Sequence, residues 1–66
     1  MTILINGENR EFDNDICVSE LIVKLGLKVP VMAVAVNMNI VKKDDWDSFI
    51  LKSNDRVEML QFVGGG

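Results

Sequence analysis

The chain has 66 residues, a formal net charge of −3 and an apolar fraction of 48%. This length allows a single compact domain with a small core, and the apolar content excludes an intrinsically disordered chain. The seven Lys and Arg residues are outnumbered by ten acidic residues and do not cluster, so we expect no binding of nucleic acid.

A single cysteine, Cys17, excludes an intrachain disulfide. The N-terminal residues do not resemble a secretory signal, and the longest apolar stretch, residues 29–36, is too short to cross a bilayer. We therefore expect a cytoplasmic protein that does not interact with membranes.

The first predicted element is a β-hairpin. Residues 2–6 have the composition of a strand, and the pair Asn6-Gly7 favours a tight turn that returns the chain through Arg10 to Phe12.

A helix with one buried face follows, because four apolar residues have the spacing i, i+3, i+4 and i+7: Val18, Leu21, Ile22 and Leu25. Gly26 is placed to end this helix in the left-handed conformation. Cys17 and Glu20 have the spacing of a capping box, but a thiol stands where a hydroxyl normally accepts the backbone N–H. We therefore expect a frayed helix start.

The second half of the chain is predicted to add three strands. These are residues 32–36, the short strand Ile40-Val41, and residues 56–63. A polar segment between the second and third of these strands contains Trp46, which we expect to pin residues 44–49 onto the domain. The order β-β-α-β-β-β predicts an α+β domain in which one main helix packs across a mixed sheet of four to five strands.

The last strand has two unequal faces. Alternation places Val57 and Met59 on one face, and Leu60 and Phe62 on the other. If the first pair meets the helix, then Leu60 and Phe62, together with Leu4, form an exposed apolar patch where a partner docks. The alternative is that one or more of these side chains fill the core.

Three glycines, Gly64 to Gly66, follow this strand directly. We predict a domain over residues 1–63 and a flexible tail over residues 64–66, which carries the α-carboxylate on a segment without side chains that can enter a narrow channel. The alternative is a terminal or linker segment without function.

The chain lacks the groups needed to activate this carboxylate. It contains no histidine and no phosphate-binding Gly-x-x-x-x-Gly-Lys loop, so we predict a carrier and not an enzyme. The acidic residues Asp44, Asp45 and Asp47 lack the Gly and Glu of a calcium loop, so we assign no metal.

Several short segments of the sequence together resemble the ThiS family of sulfur carriers. These segments are Ile3-Leu4-Ile5-Asn6-Gly7, Val18-Ser19-Glu20-Leu21-Ile22, Ala33-Val34-Ala35-Val36-Asn37, Ile40-Val41 with Trp46, and Asp55-Arg56-Val57-Glu58 leading to Val63-Gly64-Gly65-Gly66. The similarity covers the whole chain. It departs from the family pattern at Cys17, where Thr is common, at Lys42-Lys43, and at Asn54, which replaces a turn glycine.

The resemblance implies a β-grasp, ubiquitin-like fold in which the last strand lies centrally beside the first. It also implies that a ThiF-like adenylating enzyme uses ATP to activate the Gly66 carboxylate, that a sulfur-donating enzyme supplies the sulfur of a Gly66 thiocarboxylate, and that a ThiG-like thiazole synthase receives it. Gly65 would let the tail thread a partner's active site, with Gly64 beside it in the contact. The chain itself would bind no cofactor, and the free carrier is expected to be a monomer.

Three alternatives remain open at this point. The small subunit of molybdopterin synthase shares the implied fold and a diglycine end, and a passive ubiquitin-like interaction module or a protein modifier would also fit. Cys17 has two interpretations, either a sulfur relay at a helix start or a small buried hydrophobe, and the second is favoured because no second cysteine is present.

Overall fold

A computed structural model of the chain describes residues 1–61. The predictions for Phe62 and for the glycine tail lie outside these residues. The elements are β1 (Thr2–Ile5), β2 (Glu8–Glu11), α1 (Val18–Leu25), β3 (Val31–Val36), β4 (Asn39–Val41), a 3₁₀ turn (Lys43–Asp45) and β5 (Arg56–Gln61). The predicted order of strands and helix is confirmed.

The five strands form one mixed sheet in the order β2-β1-β5-β3-β4. The last strand, β5, is therefore central, running parallel to β1 on one side and antiparallel to β3 on the other. This arrangement is the β-grasp fold that the family resemblance implied.

Both β-hairpins turn through an asparagine in the left-handed conformation. In the β1–β2 turn, φ is 47° at Asn6 and 85° at Gly7, and in the β3–β4 turn φ is 50° at Asn37 and 70° at Met38. Positive φ at both central residues is typical of the type I′ turn, whose twist matches that of the flanking strands. Asparagine adopts this conformation more readily than most residues, and each of the two turns therefore accommodates one.

The core lies between the inner face of the sheet and α1. Val57 and Met59 of β5 are buried, as are Val18 and Leu21 of the helix. They share one apolar cluster with the buried residues of the neighbouring strands, namely Ile3, Ile5, Val31, Val34, Val36 and Val41. The alternation predicted for β5 is therefore confirmed between Val57 and Leu60, with the valine and methionine facing the helix.

The start of α1 differs from the sequence expectation. The Glu20 carboxylate accepts the Cys17 backbone N–H at 3.1 Å, while the N–H groups of Val18 and Ser19 donate to the carbonyls of Phe49 and Trp46, each at 3.1 Å. The frayed start that we expected from the thiol is wrong, because backbone carbonyls from a distant loop satisfy the first amides of the helix.

That loop is held by Trp46, as predicted. Its indole N–H donates to the Val41 carbonyl at 2.9 Å, and only 9% of the residue is exposed. The Lys43 ammonium lies 5.8 Å from the centre of the ring. Asn54, which replaces a turn glycine of the family pattern, has a φ of 73°, the left-handed value that such a turn requires.

Candidate functional site

The central strand β5 leads to the predicted reactive end of the chain. Gln61 is its last described residue, and Gly66 follows five positions later. The roles assigned to Phe62, Gly64, Gly65 and Gly66 fall outside the described residues and stay predictions. The structure instead shows how the strand that carries them is held.

The two neighbours of β5 support it to different lengths. On one side, β3 pairs with β5 as far as Gln61, which lies opposite Val31. On the other side, the β1 ladder contains only two registered pairs, the last of which joins Ile5 and Val57. The backbone of β1 makes one further bond, from the Asn6 N–H to the Val57 carbonyl at 2.9 Å, and then turns away.

Beyond that point, the side chain of Asn6 forms the hydrogen bonds to β5 that the backbone of β1 no longer provides. Its Oδ1 accepts the Met59 N–H at 2.8 Å, and its Nδ2 donates to the Met59 carbonyl at 3.4 Å. An amide side chain offers the same donor and acceptor as a peptide group. The Asn6–Met59 pair therefore extends the support of β5 by one peptide unit toward its C-terminal end.

A similar pair holds the beginning of β5. The Asn37 Oδ1 accepts the Arg56 N–H at 3.0 Å, and the Asn37 Nδ2 donates to the Asp55 carboxylate at 3.0 Å. Neither Asn37 nor Asn6 was predicted as a site residue. Their turn positions were readable from the sequence, but which backbone groups their side chains reach depends on the packing of the hairpins against β5.

The outer face of the sheet carries an apolar surface near the C-terminal end of β5. Leu60 is 62% exposed and Ile40 of β4 is 72% exposed. Leu60 lies opposite Ala33, while Ala35 lies opposite Ile40 on the other side of β3. We call these four residues the outer patch. The small alanines between the two larger side chains leave a shallow groove there, which Glu58, opposite Ala35, also lines.

Leu4 does not join Leu60 in this surface. It is half-buried on the same face but lies opposite Arg56, and the four residues from Arg56 to Leu60 span about 13 Å along the strand. Ile40 instead lines the same groove as Leu60. Ile40 was not predicted as a contact residue, although alternation in its short strand separates it from the buried Val41.

The Cys17 residue is 7% exposed and forms an isolated bridge with Ile50. This burial agrees with the interpretation of a small hydrophobe. The hydrogen bond from the Cys17 backbone N–H, together with a second bond to the Cys17 side chain, lowers the pKa of Glu20 below its usual value of 4.5, and the positive charge of Lys24 acts in the same direction.

Two kinds of site are absent from residues 1–61. No group of three metal-ligating side chains occurs among them. In the same residues, no helix is long and apolar enough to cross a membrane.

Comparison with known proteins agrees with this architecture. A family model described as "ThiS family" matches residues 3–66. A thiazole synthase from Paramagnetospirillum magneticum is 35% identical over 66 residues, which are all of this chain but only 20% of that protein. The chain thus spans one fifth of the length of this relative. An uncharacterised protein, ycf40, from Trieres chinensis is 28% identical and covers 98% of this chain and 89% of its own length.

Two solved structures have the same fold. The crystal structure of the thiamine biosynthesis protein ThiS from Geobacter metallireducens superposes with a TM-score of 0.83 at 30% identity, and the match covers both chains completely. A solution structure of a thiamine biosynthesis protein from the same organism gives a TM-score of 0.78 at 28% identity, and covers all of this chain and 88% of the other.

Proposed function

Because the chain belongs to the ThiS family of small sulfur carriers in thiamine biosynthesis, we propose that its working group is the α-carboxylate of Gly66. The observation that carries the proposal is the family match, which extends over the Gly64 to Gly66 end of the chain. The carboxylate cycles between a free acid, an acyl-adenylate and a thiocarboxylate on partner enzymes.

The chemistry follows from the poor reactivity of a carboxylate. A carboxylate oxygen attacks the α-phosphorus of ATP and pyrophosphate leaves, which gives the acyl-adenylate. A sulfide nucleophile then attacks the carbonyl carbon and expels AMP, and the product is the thiocarboxylate. ATP and the activating groups belong to a ThiF-like partner. The part that this chain plays is to deliver Gly66 to that partner's reaction centre.

The outer patch is proposed as the docking surface for this delivery. Exposed Leu60 and Ile40 beside small alanines form an apolar surface of the kind that partner proteins cover. Leu60 is six residues from Gly66, so contact at the patch brings the carboxylate close to the bound enzyme. Leu4 and Phe62 are kept as proposed partner contacts, with Leu4 at the other end of the face.

Thiazole synthase is the proposed acceptor of the sulfur. In the relative from Paramagnetospirillum magneticum, a segment 35% identical to this whole chain is one fifth of a protein named thiazole synthase. A carrier-like segment and a synthase in one polypeptide are expected to act on each other, because a covalent link raises their effective concentration. The same partnership is the one we propose for this chain.

The test is the intact mass of the full chain after incubation with an adenylating enzyme of this family, ATP and hydrosulfide. Exchange of one oxygen for one sulfur is expected to add about 16 Da. A control chain that lacks Gly65 and Gly66 keeps every described residue and is expected to gain no mass. Addition of thiazole synthase with its substrates should return the product to its original mass.

Two outcomes would contradict the proposal. An unchanged mass, with an enzyme that modifies another carrier in parallel, would indicate a passive ubiquitin-like module. A much larger increment attached to a lysine of another protein would indicate a protein modifier.

A further inference from the structure

We propose that Asn6 is a positioning residue for the reaction at Gly66. Its side chain holds Met59 in the sheet where the backbone of β1 no longer reaches, and thereby sets the direction in which the end of β5 points. The inference rests on the proposed function, since it assigns a role in delivering the carboxylate. Asn6 also lines the groove of the outer patch, but the two bonds of its side chain go to the backbone of Met59 and not to a patch residue.

The geometry at Met59 requires both ends of the asparagine amide. The Met59 N–H and carbonyl point toward β1, as the carbonyl of Val57 does two residues earlier. Val57 meets the backbone N–H of Asn6, but Met59 would face an empty position because the chain turns back at Asn6 and Gly7. One polar side chain fills that position with a donor and an acceptor.

The turn itself explains why an asparagine fits here. The φ of 47° at Asn6 belongs to the left-handed region, which asparagine and glycine tolerate and β-branched residues avoid. Glycine would keep the turn and lose the side chain. The two roles of Asn6, shaping the hairpin and holding Met59, are therefore separable by a single substitution.

Small errors in the direction of β5 have large effects at the reactive end. Five residues separate Gln61 from Gly66, and when drawn out in a partner's channel they span at most about 17 Å. Once a partner holds both the domain and the extended end, a change of a few degrees at the strand end corresponds to a displacement of the carboxylate by about 1 Å, which is enough to lower the rate of a positioned reaction by about a hundredfold in sensitive cases. Docking is expected to change less, because Leu60 stays paired with Ala33 of β3 and Ile40 lies on β4.

Asn37 provides a matched control within the same chain. It also occupies a left-handed turn position, with a φ of 50°, and its Oδ1 also accepts a β5 amide. That amide belongs to Arg56, at the beginning of β5 and ten residues from Gly66. Asn37→Gly removes the same kind of bond from the same strand, but at the end distant from the carboxylate.

The experiment compares Asn6→Gly, Asn37→Gly and the wild-type full chain as substrates of the adenylating enzyme, by following pyrophosphate release at varied carrier concentration. For Asn6→Gly we expect kcat to fall about tenfold while KM rises by less than about threefold, because presentation of the carboxylate is impaired more than docking, which the apolar side chains of Leu60 and Ile40 provide. Asn37→Gly should keep both constants. Hydrogen exchange of the Met59 amide should rise about tenfold more in Asn6→Gly than in Asn37→Gly, as expected for the loss of its own hydrogen bond.

Equal kcat values for wild type and Asn6→Gly would overturn the inference, as would an equal loss in Asn37→Gly, which would indicate a general effect of stability. If Asn6→Gly does not fold, Asn6→Asp decides the matter: it tolerates the turn and keeps the acceptor for the Met59 N–H, but loses the donor, so a smaller loss in kcat is expected. No pyrophosphate release from wild type would contradict the proposed function itself, and is distinguishable from both results.

Discussion

Asn6 and Met59 are 53 positions apart in the sequence and are joined by two hydrogen bonds, one to each backbone group of the methionine. These bonds hold the turn of the first hairpin against the last strand. Replacement of Asn6 by glycine is expected to lower the free energy of unfolding by about 1–2 kcal/mol, because Met59 loses both partners while the turn is retained. Urea unfolding followed by circular dichroism measures this, and Asn37→Gly should show a loss of similar size. No change in either variant would mean that water replaces the side chains without cost.

Substitution in the outer patch is expected to weaken docking and to leave the stability of the fold almost unchanged. Leu60→Gln is expected to raise the KM of the adenylating enzyme for the carrier by about tenfold or more, because an exposed apolar anchor is lost from the centre of a contact. Its unfolding free energy should change by less than about 0.5 kcal/mol, since the side chain is already 62% exposed. Val23→Gln is the matched control, because Val23 is 78% exposed but lies on the helix. Equal effects of the two variants on KM would contradict the assignment of the patch.

The cap at Glu20 predicts a pH-dependent contribution to stability. The Cys17 backbone N–H lowers the pKa of Glu20 from its usual value of 4.5 in the folded state. A lowered pKa means that the charged carboxylate stabilises the fold above pH 4.5, and that this stabilisation is lost as the pH falls through the folded pKa. The stability difference between wild type and Glu20→Gln should therefore shrink when urea unfolding is measured at decreasing pH. A difference that does not depend on pH would contradict this explanation.

Substitution of Trp46 is expected to lower the stability of the fold and not to impair function directly. Trp46→Phe removes the donor to the Val41 carbonyl and is expected to cost about 1–3 kcal/mol, because a buried acceptor is left without a partner. Calorimetric unfolding measures this cost, and Lys43→Ala, which removes only the ammonium over the ring, should cost less than about 1 kcal/mol. A larger loss for Lys43→Ala than for Trp46→Phe would show that the hydrogen bond is not what holds the loop.

Cys17 is expected to be dispensable for sulfur transfer. It is buried at a helix start, and no other cysteine occurs in the chain. Cys17→Ala should gain the sulfur mass at a rate within about twofold of wild type, because no thiol relay is needed when the activated carboxylate reacts directly with sulfide. Loss of the mass gain in a variant with an unchanged circular dichroism spectrum would support the relay.

Local patterns predicted much of the fold. The spacing of Val18, Leu21 and Leu25 is sufficient to indicate a helix with one buried face, and alternation in residues 57–60 correctly separated the two faces of the last strand. Which of these faces meets the helix was left open by the sequence and is decided by the structure. The central place of that strand, however, came from the family resemblance. Strand order depends on long-range pairing, about which the periodicity of a single segment says nothing.

The candidate site was predicted less completely. The glycine end and Leu60 were visible as residue types in a particular order, whereas Ile40 and Asn6 were not recognised. Ile40 joins the patch only because β4 pairs with β3 in the register that sets Ile40 opposite Ala35. The expectation of a frayed helix start failed for the same reason, since the carbonyls that satisfy its amides come from residues 46 and 49.

By itself, the amino-acid sequence determined the order of strands and helix, the alternation of the last strand and the resemblance of the chain to a carrier family. These properties depend on spacing within short segments and on the residue types at the end of the chain. Only the tertiary structure decided which residues share the outer patch and what holds β5 near its end. Both depend on the register between strands that are distant in sequence, and a change of one residue in that register would bring different side chains together.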